Sequence, residues 1–270
     1  MKNLTTLFIV LLTALSVNAQ LSMQKKDDGI LITENGNKVL FFQAEPKSLE
    51  GKFERCNYIH PLWASDGTIL TEDFPADHYH HRGIFWTWHQ VWIGDKRIGD
   101  PWEIKDFEQD VVEIEFLNQS ESSVQLKTEV EWLSDKWKKN GKKVPYINEK
   151  AIITVHEQKG NFRRIDFEIS LLALEENLKI GGSEDDKGYS GFSVRMKLPK
   201  DVGFEGVDGI VEPIRTAVES PGFINVSGSL LNDERFGGIV MVDHQNNPDY
   251  PQKWILRARN SMQNAAWPGR

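Results

Sequence analysis

Apolar and polar residues alternate with period two along most of this chain. Val124, Leu126, Thr128, Val130 and Trp132 alternate with Gln125, Lys127, Glu129 and Glu131, which is the pattern of a half-buried β-strand. Ile165, Phe167, Ile169 and Leu171 alternate with Arg164, Asp166, Glu168 and Ser170 in the same way. The runs Ile30 to Thr33 and Lys38 to Gln43 flank Asn35-Gly36, so they predict a hairpin with a tight turn. Further strands are predicted at Ile84 to Ile93, Val111 to Leu117, Ala151 to Glu157, Phe192 to Lys197, Gly238 to Val242 and Trp254 to Arg259. Helical periodicity is scarce, and its best instance, Leu171 to Leu178, reads better as the end of a strand. Many short strands separated by turn signals predict an all-β protein built as an antiparallel β-sandwich.

The first residues break this pattern. Met1-Lys2-Asn3 carries one positive charge, Leu4 to Val17 is apolar, and Val17-Asn18-Ala19 presents small residues for cleavage. That is a signal-peptide pattern, with processing expected between Ala19 and Gln20. The apolar run is short for a bilayer span, which needs roughly 20 apolar residues. No span is expected in the mature protein, and a periplasmic or secreted location follows. The remaining residues, about 250, are read as a β-sandwich domain from 20 to 270. After Trp254 to Arg259 the chain ends on Pro268-Gly269-Arg270, and turn chemistry at that point predicts that a C-terminal strand is missing.

Composition narrows the function. Net charge is −8, which argues against nucleic acid as a partner. The lysine-rich stretch Lys136 to Lys143 has Asn140-Gly141 at its centre, the signature of a solvated hairpin tip. Cys56 is the only cysteine, so neither an intramolecular disulfide nor a thiolate cluster can form. Within its strand-like surroundings Cys56 is expected to be a small core residue.

Polar chemistry concentrates in three places. The densest is Asp77-His78-Tyr79-His80-His81-Arg82-Gly83, followed by Ile84-Phe85-Trp86-Thr87-Trp88. In an extended register His78, His80 and Arg82 would share a face with Trp86 and Trp88, while Asp77, His81 and His89 would take the other. Imidazoles and a cation beside an indole platform suit a sugar, whose hydroxyls need hydrogen bonds and whose C–H faces stack on aromatic rings. A metal competes: His78 and His80 at i, i+2 with a distant His244 would supply nitrogen ligands for a divalent ion. A buried, purely structural histidine–arginine network is the third alternative. The second place is the glycine-flanked Glu184-Asp185-Asp186-Lys187 before a strand carrying Arg195, with Glu184 a candidate base and Lys187 a candidate charge stabiliser. The third is Asp243-His244 with Asn247, where an Asx turn is the alternative to ligand contact.

Together these segments resemble a bacterial family designated DUF6807, often labelled "methane oxygenase PmoA". The resemblance runs through Tyr58-Ile59-His60-Pro61-Leu62, Asp66-Gly67, Thr71 and Asp73-Phe74-Pro75-Ala76-Asp77-His78-Tyr79-His80-His81-Arg82-Gly83. It resumes at Glu184-Asp185-Asp186-Lys187-Gly188 with Arg195, where the family more often has Asp-Thr-Lys-Glu-Gly, and at Asp243-His244, Asn247-Pro248, Pro251, Trp254 and Arg257. Many members carry a Trp- and Arg-rich segment where this chain has Glu212 to Ser220, so no role tied to that segment is carried over. Neither is the oxygenase label, which is borrowed from a multi-span membrane subunit. The resemblance implies a β-sandwich, of the galactose-mutarotase-like supersandwich type, in exported proteins suited to carbohydrate metabolism.

The combined expectation is a carbohydrate-active enzyme of epimerase, lyase or hydrolase type working by general acid–base chemistry on a small-molecule or glycan ligand. His78, His80 and His81 would handle protons with Glu184, and Arg82 and Lys187 would stabilise negative charge. Asp77, Trp86, Trp88, Arg195, Asp243, His244 and Asn247 would contact the substrate. A histidine-ligated metalloprotein and a non-catalytic glycan-binding module are the alternatives.

Overall fold

The computed structural model describes residues 20–120, 122–259 and 262–270; the expected leader, residues 1–19, lies outside them. The described chain is nearly all antiparallel β. Helical structure among these residues is one 3-10 turn, Asn232–Glu234.

A nine-stranded sheet forms the spine. Its spatial order is Leu21–Lys26, Gly29–Glu34, Asn37–Gln43, Tyr58–Leu62, Ile84–Trp88, Ser190–Val194, Gln263–Ala266, Lys253–Ile255 and Val218–Glu219. The N-terminal hairpin forms where the Asn-Gly pair predicts it. Asn35 and Gly36 both take positive φ, 51° and 80°, the conformation that a two-residue turn needs to match strand twist. A four-stranded sheet, Glu108–Gln119, Ser123–Leu133, Ile147–His156 and Ile165–Ala173, packs on the same core as the spine. In Ser123–Leu133 burial alternates at every residue, as the period-two pattern requires. Another four-stranded sheet, Gly209–Ile210, Gly203–Gly206, Phe223–Gly228 and Gly237–Val242, adds Phe204, Ile224, Val226 and Met241 to this core.

Several expected boundaries shift. The run Ile84 to Ile93 divides at His89 into Ile84–Trp88 and Gln90–Ile93, and the second piece joins a separate three-stranded sheet with Lys96–Gly99 and Leu178–Gly181. The expected strand Trp254 to Arg259 stops at Ile255, because Arg257 turns to bond backbone carbonyls of Ile214, Arg215 and Leu256. Gln263–Ala266, which has no legible alternation, lies inside the spine between Ser190–Val194 and Lys253–Ile255. The lysine-rich tip is a hairpin, Lys138–Lys139 on Lys142–Lys143.

A buried carboxylate ties the layers. Glu149, on the four-stranded sheet, accepts hydrogen bonds from Trp86 Nε1 at 2.6 Å, Asn57 Nδ2 at 2.8 Å and Trp132 Nε1 at 2.9 Å. Burial pushes its carboxyl up to about 7, against the opposing pull of those three donors. Cys56 lies nearby, with its thiol on the Gln109 carbonyl at 3.2 Å. Burial pushes this thiol up to about 12, so almost no thiolate exists at neutral pH. Iodoacetamide should therefore leave Cys56 unmodified in the folded protein and label it completely in denaturant, with intact-mass spectrometry as the readout.

Candidate functional site

The strand Ile84–Trp88 decides which side chains reach the site. Trp88 packs in a core cluster with Val91, Val130 and Trp132, and Ile84 belongs to the main core. Phe85 faces the other way, into a small aromatic cluster with Tyr58, Trp102, Met262 and Tyr189. The residues before this strand are not extended. His78 N–H bonds the Pro75 carbonyl and His81 N–H bonds the His78 carbonyl, both at 2.9 Å, which makes two tight turns. Gly83 then takes φ +52°, and a Cβ there would come within 2.0 Å of the Ile59 carbonyl oxygen. Only glycine allows both the left-handed backbone and that approach.

This geometry corrects the expected shared face. Trp86 and Trp88 are 2% and 4% exposed, and their indole N–H groups are taken by Glu149 and by the Trp267 carbonyl. They are core residues and cannot form a platform for a sugar. Arg82 is also no charge stabiliser, because it is fully buried. Its guanidinium bonds the Asp73 carboxylate, the Tyr58 hydroxyl and the carbonyls of Lys47 and Phe53. It locks the loop to the spine.

The three imidazoles do gather. His78 stacks on His81 with centroids 4.6 Å apart and planes 9° apart, and His80 meets His81 edge-on at 4.5 Å. Burial holds His80 down to about 3 and His81 down to about 2, with Arg55 adding to the effect at His80, Arg195 at His81 and neighbouring histidines at both. Both are neutral at physiological pH. His80 Nε2 lies 3.7 Å from Glu103.

His78 differs because it is half-exposed and has a carboxylate behind it. Its Nδ1–H donates to Asp77 Oδ2 at 2.7 Å. Asp77 is gripped by the buried Arg195 through two bonds of 2.7 and 3.0 Å, and Arg195 Nε donates to Glu72 at 2.8 Å. Burial pushes Asp77 up, but its bonds from Arg195 and His78 outweigh this and hold it at about 2. An ionised Asp77 fixes the proton of His78 on Nδ1 and leaves Nε2 as the basic nitrogen. Among the described residues no group pairs with that Nε2. Arg195, expected as a substrate contact, instead positions this pair from within the fold.

An aromatic wall extends from the histidines. His81 lies 6.2 Å from Trp102, Trp102 stacks on His89 at 5.1 Å, and it leans on Tyr189 at 5.5 Å. Past His89, Arg97 bonds the His89 carbonyl and Asp100, and pairs with Glu184 at 3.4 Å. Glu184 is thereby joined to the histidine cluster through Arg97, His89 and Trp102. Lys187 pairs with Asp185 at 2.9 Å and lies over the Tyr189 ring. Trp102, Glu103, Arg97 and Asp100 carry no sequence signal of their own, since they come from a turn and a short strand that fold back onto the site.

The third expected segment organises its own loop. Asp243 accepts from Asn247 Nδ2 and from the Gln252 N–H, both at 2.8 Å, so its carboxylate staples the loop from four and nine residues on rather than closing the expected Asx turn. His244 is exposed and accepts from the Asn246 N–H at 3.2 Å. Of the set His78, His80 and His244, the first faces Asp77, the second Glu103 and the third the Asn246 N–H of its own loop. Among the described residues no group of three or more His, Cys, Asp or Glu is placed to hold a metal ion.

Fold and site together define an all-β protein with an imidazole cluster held on the spine sheet by buried arginines. The chain belongs to DUF6807, a family of unknown function, whose model matches residues 30–269. No curated protein and no solved structure is matched by this chain. No helix among the described residues is long and apolar enough to cross a membrane.

Proposed function

We propose that this protein is a general acid–base enzyme acting on a carbohydrate, with His78 as the group that moves the proton. The observation that carries this reading is the line Glu72–Arg195–Asp77–His78. A buried arginine braced by Glu72 orients one carboxylate, and that carboxylate sets the tautomer of a half-exposed imidazole whose Nε2 has no partner among the described residues. Such an arrangement suits a base that takes a proton from, or an acid that returns one to, a sugar hydroxyl or ring carbon. His80, kept neutral by burial, would offer a hydrogen bond to a hydroxyl without adding charge, while His81, 2% exposed with its Nδ1 facing Arg195 at 3.4 Å, supports the stack with His78 from within the fold. Tyr79, exposed and packed on Phe53 at 5.5 Å, supplies an aromatic ring next to His78 for a sugar face. Glu184 and Lys187 would act from the far end of the aromatic wall. An epimerase, a lyase and a hydrolase share this requirement for a positioned proton carrier. Export after cleavage between Ala19 and Gln20 and the mutarotase-like supersandwich belong to the same reading.

The test is to incubate the protein with pooled oligosaccharides and follow products by NMR. His78→Ala should lower turnover about 100-fold or more, with circular dichroism unchanged. Asp77→Asn should also lower it, because the amide no longer fixes the tautomer. Turnover by His78→Ala equal to that of the parent would remove His78 from the chemistry. Binding without product in the parent would favour a glycan-binding module instead.

A further inference from the structure

The three-stranded sheet beside the candidate site carries a groove that the reading above does not use. It has a volume of about 460 Å³ and is lined by Gln90, Trp92, Asp95, Lys179 and Gly181, among others. That size lies within the range of small-ligand sites. Trp92 is half-buried, and its cross-strand neighbours are Lys179 on one side and Arg97 on the other. The next row pairs Gln90 with Gly181.

Two features make this more than a surface dent. Gln90 pins the indole: its Oε1 accepts from Trp92 Nε1 at 3.1 Å while its Nε2 donates to the Gly182 carbonyl at 2.8 Å. The ring is therefore held before any ligand arrives, which lowers the ordering cost of binding. Beside Gln90 the sheet has no side chain, because position 181 is glycine. A Cβ there would touch Gln90 only at an ordinary 3.7 Å, so the backbone does not demand glycine, and its effect is to leave space open next to the indole.

We infer that this groove is a sugar-binding subsite, with the Trp92 ring stacking on a pyranose face and Lys179 and Asp95 meeting its hydroxyls. An aromatic floor with a few polar groups at its margin is the chemistry that recognises a pyranose, whose C–H face is apolar and whose edge is polar. The groove connects to the candidate site through Arg97, which bonds the His89 carbonyl and pairs with Glu184. A chain of two or more sugar units would then place one ring on Trp92 and another toward the histidines. The inference rests on the carbohydrate reading and narrows its substrate class to oligosaccharides.

The test uses saturation-transfer NMR with a pool of α- and β-linked gluco-, galacto-, manno- and xylo-oligosaccharides. The parent, Trp92→Ala, Gly181→Leu and His78→Ala are compared, with thermal unfolding confirming that each variant is folded. Transfer to sugar ring protons is expected in the parent and in His78→Ala. Affinity should fall about ten-fold in Trp92→Ala, as for loss of a central aromatic anchor. Gly181→Leu keeps the indole but fills the space beside it, and should fall similarly. No transfer from any sugar in the parent, or equal transfer from parent and both groove variants, overturns the subsite. If turnover survives His78→Ala while the groove variants lose binding, the subsite stands and the catalytic assignment falls.

Discussion

Glu149→Ala is expected to destabilise the folded protein by about 3–5 kcal/mol, the cost typical of removing one partner from a buried charged network. The reason is local. Two indole N–H groups and one amide N–H converge on this carboxylate, and alanine leaves all three in the core without an acceptor. Each buried donor so stranded costs about 1–3 kcal/mol. The fully buried Arg55, on which Glu149 exerts a favourable field, loses that as well; burial already lowers its guanidinium to about 9. Against the 5–15 kcal/mol that holds an ordinary domain together, such a loss is large. In a chain of this size it should lower the melting temperature by about 10 °C. Glu149→Gln should cost less, because its carbonyl can keep the Asn57 and Trp86 bonds while its amide faces the Trp132 N–H. Differential scanning calorimetry of both variants checks the order. A Glu149→Ala variant melting with the parent would show that the carboxylate does not tie the layers.

The second large effect is loss of stability in mild acid. His60, His80 and His81 are held neutral by burial, at about 4, 3 and 2 respectively, whereas an unfolded histidine titrates near 6.5. Below that value the unfolded chain takes up protons that the folded one refuses, so stability falls as pH drops through 6.5 toward the folded values. Glu149 works in the opposite sense. Its folded value of about 7 lies above its ordinary 4.5, so the folded state holds a proton that the unfolded state releases, and stability rises as pH falls from 7 toward 4.5. Three groups against one leave a net uptake of about two protons on unfolding near pH 5. At about 1.4 kcal/mol per proton per pH unit, the slope is about 3 kcal/mol per unit. Urea midpoints at pH 7.5, 6.0 and 5.0 measure it. His81→Gln should flatten the slope by about one proton, and a midpoint independent of pH over this range would contradict the buried neutral histidines.

Both effects arise from side chains whose types were visible in the sequence and whose roles were not. The histidine run stands out as the densest polar cluster, and the structure gathers its imidazoles. Extending it as a strand puts Trp86 and Trp88 on the ligand side; Gly83 prevents this, because its left-handed φ turns the chain where it enters the strand. The indoles then belong to the core, and Arg82 and Arg195 become supports. Glu149 reads as one more polar residue between Asn148 and Lys150. Its partners Asn57 and Trp86 lie 92 and 63 residues away, and no local pattern carries that information. Trp92 reads as part of a single strand, since the division at His89 depends on pairing with Leu178–Gly181.

The sequence by itself determined the β-strand character, the hairpin at Asn35-Gly36, the alternation of Ser123–Leu133 and the concentration of imidazoles at 78–81. These follow from side-chain periodicity and turn chemistry, which act over a few residues. The tertiary structure alone decided which face each tryptophan occupies, which carboxylate meets which imidazole, and that Trp92 lies in a groove with Lys179 and Gly181. Except for the neighbours Asp77 and His78, whose pairing is fixed by the distant Arg195, those contacts join separate segments of the chain, and their energies depend on burial and strand pairing that exist only after the sheets have packed.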